Sequence, residues 1–559
     1  MTAPGDRLGP IEVEVIRNAL TAAAAEMDVT VWRTSRSTIV RELLDYSTAI
    51  FDAEGNNVAQ SARIPSHLNS MGHGLRELLA RHVDAAAWGP EDVVITNDPY
   101  CGGQHLPDIL AFKPVEHEGR RIAFVGTLCH HLDMGGLAAG SYAATATEIF
   151  QEGLRIPPVK LVEGGRVNAG VWAMIRQNVR KPDLVMGDLQ SQLASLDVGA
   201  AALRRLAARY GTEAMLEAGR RILDMSEATM RAAIRRMPDG VYEFEDFLDD
   251  DGIVLDQPIR LHVKLTIAGD GIEVDLSGCA KQVAGPVNAT LASSQAAVMF
   301  AVMSAADDPA LAANAGCYRP VRVIAPEGLV VNARHPAPVA HRIAVGHRLL
   351  NALFGALHQA VPERIPAAYY GNSYVCTFQT VAEDGSREVL VEIEIGGSGA
   401  HPAKDGVNTY ASGMHNNANI PVEMIESQMP LEIARYGLLP DSGGAGARRG
   451  GLGLVREWRV LSERCVLTAN MDRFHHAPYG LAGGQPANRG RLLLIRDGRE
   501  EPIPPKTDGL VLLRGDVVRL ETSGGGGFGD PAGREAAALA RDLALGYVTP
   551  AAARDVWRS

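Results

Sequence analysis

A histidine and an aspartate three residues apart, His105-x-x-Asp108, lie in the stretch NDPYCGGQHLPD (97–108). A second such group, His130-His131-x-Asp133, follows in GTLCHHLDMGG (126–136). Imidazoles and carboxylates together bind Zn²⁺, Mn²⁺ or Fe²⁺, whereas a soft thiolate site needs paired cysteines. With Pro107 in the first turn of a helix, the i,i+3 spacing sets His105 and Asp108 side by side. His130 and His131 are consecutive, so in strand geometry they face opposite ways. One is then a ligand and the other is free for proton transfer or support. Each pattern alone is a common surface or capping feature. Together they pose two halves of a metal site, and spacing alone leaves open whether they close on an ion.

The elements that must position them are legible nearby. Asp92–Thr96 (DVVIT) runs into the first group and Arg121–Cys129 (RIAFVGTLC) into the second. Both read as mostly buried strands, neighbours that deliver their His/Asp groups to one end of a sheet. Upstream, Ile11 to about Trp32 has helical spacing, and Tyr46–Phe51 and Val58–Gln60 flank a turn signal as a β-hairpin does. A helix is expected from about Ser70 to Ala87. Residues 184–237 carry a long helical pattern punctuated by Gly211 and ended by Pro238-Asp-Gly. Beyond it the texture alternates like antiparallel strands, with helices at Ser294–Ala306 and Gly346–Leu357. From about Tyr369 the chain is strand and loop with dense glycine, then a short helical tail after Pro531.

The expected fold class is therefore mixed α/β (α+β) and multi-domain. Residues 1–237 make an N-terminal domain with a mixed sheet, the metal site and long closing helices. Residues 238–368 make a central α+β domain, and 369–559 a glycine-rich β domain. A chain of 559 residues exceeds one hydrophobic core.

Composition removes several function classes. A net charge of −12 with no basic cluster offers nothing to nucleic acid or anionic lipid. The N-terminus MTAPGDRLGP has no apolar signal region, and the longest weakly polar run, Ala292–Ala306, is too short to span a bilayer, so a cytoplasmic protein with no membrane role is expected. Six scattered cysteines without a C-x-x-C pair read as reduced thiols, and Cys101 and Cys129 as small buried hydrophobes.

Glycine clusters at 396–406, 441–453 and 523–531 invite a phosphate-loop reading, but none contains a Walker A sequence. Gly524, Gly526 and Gly529 match G-x-G-x-x-G with only about 30 residues left, too few for a following βαβ unit. Tight turns that need positive φ are the better account, and the chain is expected to carry no nucleotide.

The motifs LLDYSTAIFDAEG (43–55), NDPYCGGQHLPDI (97–109), GTLCHHLDMGG (126–136), TEIFQEGLRIPPVKL (147–161), GPVNA (285–289), NIPVEMIE (419–426), LPDSGGAGARRGGLG (439–453) and SGGGGFGDP (523–531) resemble the hydantoinase B/oxoprolinase family nearly end to end. That family also includes subunits of acetone and acetophenone carboxylases and of a caprolactamase. The resemblance implies one divalent transition metal, zinc first with manganese or iron as alternatives, held by His105, Asp108 and His130 with Asp45 as a further ligand. It makes His131 and Asp133 supporting or acid/base groups, and Glu152, in the TEIFQEGLRIPP segment, a candidate proton carrier. It implies an ATP-binding A-type partner that holds ATP and Mg, in a hetero-oligomer such as (AB)2. The partner phosphorylates the substrate's amide or enol oxygen, and the activated species is hydrolysed or carboxylated. The chain's length favours ring-opening of a hydantoin, oxoproline or lactam over ketone carboxylation, and the remaining alternative is a purely structural, non-catalytic subunit. Two departures from the family pattern leave the substrate open: GSYAATA (140–146), expected to touch substrate, and Arg473–Tyr479, whose His475 and His476 are expected at the surface or an interface.

Overall fold

The computed structural model describes residues 8–82, 84, 87–381 and 387–557. It opens with helix α1 (Pro10–Thr34), whose buried positions Val13, Ile16, Leu20, Ala23, Met27 and Val31 recur every three or four residues. After the short α2 (Thr38–Arg41) come the hairpin β1 (Tyr46–Phe51) and β2 (Asn57–Gln60), then α3 (Pro65–Glu77), which a wider turn extends to His82. The rest of the expected Ser70–Ala87 helix falls partly on residues 83, 85 and 86, outside the described residues. Strands β3 (Val93–Thr96), β4 (Asp108–His117), β5 (Arg120–His130), β6 (Val159–Glu163) and β7 (Arg166–Val167) precede helices α4 (Ala169–Asn178), α5 (Pro182–Tyr210) and α6 (Thr212–Ile234). Gly211, at φ +87°, separates the last two.

The seven strands form one sheet in the order β2-β1-β5-β4-β3-β6-β7. Every neighbouring pair is antiparallel, which corrects the expectation of a mixed sheet here. Strand β4 was not anticipated. It lies between β3 and β5, so the two strands read as neighbours are one strand apart. Its sequence DILAFKPVEH hides it, because the sheet is covered on both faces and an apolar strand of this kind loses its alternation. Side chains still divide by pleat. Ile50, Ile109, Ala111 and Val125 pack with α1 and α5, while Phe51, Leu110, Phe112 and Phe124 pack with α3 and Trp88.

Strands β8 (Gly240–Leu248), β9 (Ile259–Ala268), β10 (Gly271–Asp275) and β11 (Val321–Ile324) form a second sheet, in which β10 and β11 run parallel. Helices α7 (Leu291–Ala306), α8 (Ala315–Tyr318) and α9 (Arg342–Ala360) accompany it. Helix α9 begins four residues before the expected Gly346, which brings Arg342 into its first turn.

The later strands are β12 (Tyr374–Val381), β13 (Arg387–Glu394), β14 (Leu431–Leu438), β15 (Leu454–Val460), β16 (Arg464–Asn470), β17 (Arg491–Arg496), β18 (Arg499–Pro502), β19 (Lys506–Leu513) and β20 (Val517–Glu521). They sort into sheets β13-β12-β16-β19 and β14-β15-β20-β17-β18. Helix α10 (Val422–Gln428) precedes β14, and α11 (Ala536–Ala544) with α12 (Pro550–Val556) forms the tail. One hydrophobic core joins the second sheet and α7 and α9 to these two. The mixed α/β, several-sheet class is as expected. Among the described residues no helix is long and apolar enough to cross a membrane.

The three glycine clusters lie against one another as extended segments. Gly451 N donates to Ser398 O, Gly525 N to Gly451 O, Gly444 N to Gly525 O, and Ala400 N to Gly526 O, all at 2.8–2.9 Å. A Cβ on Gly397 would stand 1.9 Å from Gly451 O, one on Gly450 1.8 Å from Gly525 O, and one on Gly525 1.9 Å from Ser398 O. None of these three has positive φ. At these contacts the turn account is corrected, since glycine is required where backbones meet at distances no side chain allows, while Gly529, at φ +74°, has the positive φ of a turn.

Candidate metal centre

Three adjacent strands end abreast and carry three acidic or imidazole groups to one edge. Asp45 immediately precedes β1 and its carbonyl accepts from His130 N at 3.0 Å, His130 closes β5, and Asp108 opens β4 directly opposite His130 in register. His105 is brought in by the loop between β3 and β4. Asn97 pins that loop: its amide donates to Leu106 O at 2.7 Å and Leu154 O at 2.9 Å, and its oxygen accepts from Ile156 N at 2.6 Å. Gly102, at φ +92°, passes so close to α3 that a Cβ would meet Gly74 Cα at 2.4 Å. A turn then closes with Asp108 N donating to His105 O at 3.1 Å. Pro107 therefore sits in a turn and not in a helix, yet the i,i+3 pair still meets.

His105 Nε2, Asp108 Oδ1 and His130 Nδ1 converge. The separations are 3.1 Å for His105–Asp108, 3.2 Å for His130–Asp108 and 3.2 Å for the two imidazoles. The edges of a tetrahedron or octahedron built on metal–ligand bonds of ~2.1 Å are about 3.0–3.4 Å, so all three atoms lie at ligand spacing. His105 Nδ1 donates to Ala340 O at 3.0 Å, which leaves the Nε2 lone pair facing the cluster. Burial, then the charge of Arg342, pushes His105 down to about 3, so it brings no proton. Burial opposes charge on Asp108, but its imidazole neighbours and the Arg342 guanidinium, 2.9 Å from Oδ2, outweigh it and hold the carboxyl well below its usual range. His105 Nε2 and Asp108 Oδ1 thus turn lone pairs toward one point beside His130 Nδ1, and a bound cation satisfies such a set.

The other expected residues are distributed around this trio. Asp45 Oδ1 lies 3.5 Å from His67 Nε2, which in turn lies 3.9 Å from Asp108 Oδ1. Asp45, His67, His130, Tyr142 and Arg342 line a small cavity of about 20 Å³ beside the cluster. His131 faces the other way, as its parity predicts, and its Nε2 meets Gln192 Oε1 of α5 at 3.0 Å. Asp133 is turned into its own loop. Its two oxygens accept from Gly135 N, Gly140 N, Arg180 N and Arg180 Nη1 at 2.8–3.0 Å. Glu152 is buried against the segment before α9, where Oε1 accepts from Val339 N and Ala340 N, each at 2.7 Å. Its carboxyl group thus clasps the peptide whose carbonyl holds His105. None of the three has an atom in the trio. Cys101 stays a bystander, its thiol pushed up to about 12 by burial and the charge of Asp98.

Sequence reasoning missed His67, Arg342 and His415. His67 stands in the first turn of α3 behind Pro65, and Arg342 in the first turn of α9. Arg342, His347, Arg348 and Asn351 are buried in a helix whose other buried residues are apolar or glycine, a mismatch that marks polar work inside a core. Tyr142, in the unusual 140–146 segment, stacks on His130 with ring centres 5.7 Å apart. His475 is exposed, whereas the half-buried His476 bonds Asp249 Oδ1 at 3.1 Å.

Fold and site together define a several-sheet α/β protein with a buried His/Asp cluster at the open end of an antiparallel sheet. The chain belongs to the Hydantoinase B/oxoprolinase family, whose profile matches residues 9–531. It is 32% identical over 98% of its length to 95% of the beta chain of the Pseudomonas jessenii caprolactamase. It is 31% identical over 97% of its length to 94% of the B component of a putative D-/L-hydantoinase of Pseudomonas sp. strain NS671. The crystal structure of the P. jessenii ATP-dependent caprolactamase superposes with a TM-score of 0.92 at 30% identity, covering 99% of this chain and 96% of that one. A nucleotide-free acetone carboxylase structure shares the fold, with a TM-score of 0.92 at 20% identity over 98% of this chain and 79% of that one.

Proposed function

We propose that this chain is the metal-bearing subunit of an ATP-dependent cyclic amidohydrolase that opens a hydantoin, an oxoproline or a lactam. The observation that carries the reading is the buried convergence of His105 Nε2, Asp108 Oδ1 and His130 Nδ1 within 3.2 Å of one another. These three residues hold one divalent transition metal, zinc first and manganese or iron as alternatives, with Asp45, on the wall of the adjoining cavity, as the further ligand. The ion supplies a water of lowered pKa at neutral pH. The protein's own residues do the rest: Ala340 O fixes the His105 tautomer, Arg342 keeps Asp108 ionised, and Tyr142 covers the imidazoles. ATP and Mg belong to an A-type partner, in a complex such as (AB)2 in the cytoplasm. The glycine loops of this chain pack on one another through backbone contacts too close for a Cβ. The partner transfers phosphate to the amide oxygen, which turns a poor electrophile into one that water can attack.

The test is turnover of the complex with its ATP-binding partner on hydantoin, 5-oxoproline and ε-caprolactam, with and without bicarbonate. We expect ATP-dependent, bicarbonate-independent ring opening of one of them, and about one transition-metal ion per chain. Turnover that requires bicarbonate and a ketone makes the chain part of a carboxylase instead. Full activity of a metal-free chain would falsify the metal assignment.

A further inference from the structure

The cavity beside the cluster has a second polar wall, made by parts of the chain far from the first. Ser373 immediately precedes β12 and His415 lies in the loop before α10, and both line the same space as Asp45, His67 and His130. Ser373 Oγ is 2.6 Å from His415 Nε2, and His415 Nδ1 is 3.0 Å from Tyr370 Oη. His347 stands behind them, with Nε2 3.1 Å from His415 Nε2 and Nδ1 2.7 Å from Tyr369 Oη. The His415 loop is tied to the segment just before Asp45 by Ala418 N, which donates to Leu43 O at 3.0 Å. Hydroxyl, base and orienting phenol thus stand in the order of an activated hydroxyl. Between the two walls the space is about 20 Å³, room for one water.

Ring opening needs proton carriers at this place, and the nominated ones are elsewhere. His131 faces α5, both oxygens of Asp133 are occupied, and Glu152 is buried under Ala340. Resting on the reading above, we propose that Ser373 and His415 are the proton-transfer pair that decides whether the activated amide opens or merely loses its phosphate. The substrate is an O-phosphorylated cyclic amide, a carbon doubly bonded to nitrogen and singly bonded to the phosphate oxygen. Water oxygen bonds to that carbon as the C=N π pair moves to nitrogen. One water proton passes to Ser373 Oγ, the hydroxyl proton of Ser373 passes to His415 Nε2, and the reverse transfer protonates nitrogen. The tetrahedral carbon then carries OH, NHR and phosphate. When the second proton travels the same route from the OH to nitrogen, the C–N bond breaks with its pair on nitrogen. An amine and an acyl phosphate result, and another water hydrolyses the latter. Without that second transfer the intermediate expels phosphate and returns the intact amide, so ATP is consumed for nothing. Burial, then the charges of Arg342 and His67, holds His415 down at about 3, so it stands neutral with a lone pair to accept.

The experiment uses the complex with its ATP-binding partner on the cyclic amide it opens, and measures ring-opened product and phosphate in one assay. Wild type is expected to release about one phosphate per ring opened. His415→Gln, which keeps an amide in the imidazole's place, is expected to open the ring ~10²-fold more slowly while amide-stimulated phosphate release continues. The phosphate-to-product ratio then rises at least tenfold. Ser373→Ala, which removes one oxygen and leaves packing intact, moves the ratio the same way, and the double variant is no worse than His415→Gln alone. Metal content per chain stays at the wild-type value. Ring opening within threefold of wild type, or a parallel fall of product and phosphate at unchanged ratio, overturns the pair while leaving the amidohydrolase reading intact. If the wild-type complex opens no cyclic amide, that reading fails and the pair falls with it.

Discussion

Two buried polar regions of this molecule are built on opposite principles. At the candidate metal centre, ligand-type atoms face one another: two imidazole nitrogens and a carboxylate oxygen within 3.2 Å, with one guanidinium to balance Asp108. At the junction of β8, α9, β16 and β19, carboxylates face donors. Asp472 meets Arg348, and Lys506 at 3.2 Å, while Asp246 meets Arg473 at 3.1 Å. Asp249 accepts from Phe474 N, His476 N and His476 Nδ1 at 2.6–3.1 Å, and each oxygen of Asp246, Asp249 and Asp472 has a donor. In the second region every one of these carboxylate oxygens is met from within the chain, although Arg348 Nε stays buried without a hydrogen-bond partner. The first gathers three side-chain atoms at the spacing of metal ligands. Burial of charge alone does not mark a binding site, and the balance of donors against acceptors does.

The sharpest way to break that comparison is to exchange the expected readouts. His105→Gln keeps a polar side chain of similar reach but loses the imidazole lone pair. We expect metal loss and a fall in turnover of ~10³-fold or more, because the nucleophile formed at neutral pH goes with the ion. Unfolding free energy of the metal-free protein should move by less than ~2 kcal/mol. Metal analysis and denaturant unfolding on the same preparation check both. A fully metallated His105→Gln chain would move this region into the class of closed networks.

The reverse outcome is expected at the junction. Asp472→Asn leaves Arg348 and Lys506 buried with less than their countercharge, which costs about 3–5 kcal/mol when one partner of a buried pair is removed. Metal per folded chain should remain at the wild-type level. A thermal melt shows the first effect and elemental analysis the second.

How much of this was legible beforehand differs between the same two regions. His105, Asp108 and His130 were readable because short-range spacing and strand ends carry them, and the register that sets Asp108 opposite His130 follows from one tight pairing of β4 with β5. Strand β4 itself was not readable, since a strand covered on both faces has no alternation to betray it. Asp45 was named through family likeness alone, and the start of β1 lies beside the end of β5 only once the sheet order is known. His67, Arg342, Ser373 and His415 come from four distant segments, and no local period links them. The junction was invisible for the same reason: nothing local in FLDDDG or MDRFHH shows that α9 and β19 bring Arg348 and Lys506 to them. The glycine clusters were read as turns because glycine's two uses, positive φ and close approach, leave the same letter in the sequence.

Glu152 lies between the two principles and carries the smallest expected effect. Its Oε1 accepts two backbone N–H groups, while Oε2 is buried without a partner. Burial raises its pKa to about 8 against the pull of those two bonds, so at neutral pH the folded chain holds a proton that the unfolded chain has released. Its folded value lies above the unfolded one of ~4.3, and stability on this account is full below pH ~4.3 and declines as pH rises toward 8. Glu152→Gln presents the same acceptor without the ionisation, so its stability relative to wild type should rise steadily between pH 5 and 8. Urea unfolding across that range measures the slope. Turnover and metal affinity should stay within ~10-fold of wild type, because the amide oxygen still clasps Ala340 and so keeps His105 in place. A loss of turnover far beyond that, at unchanged metal content, would make Glu152 the proton carrier and take that work from Ser373 and His415.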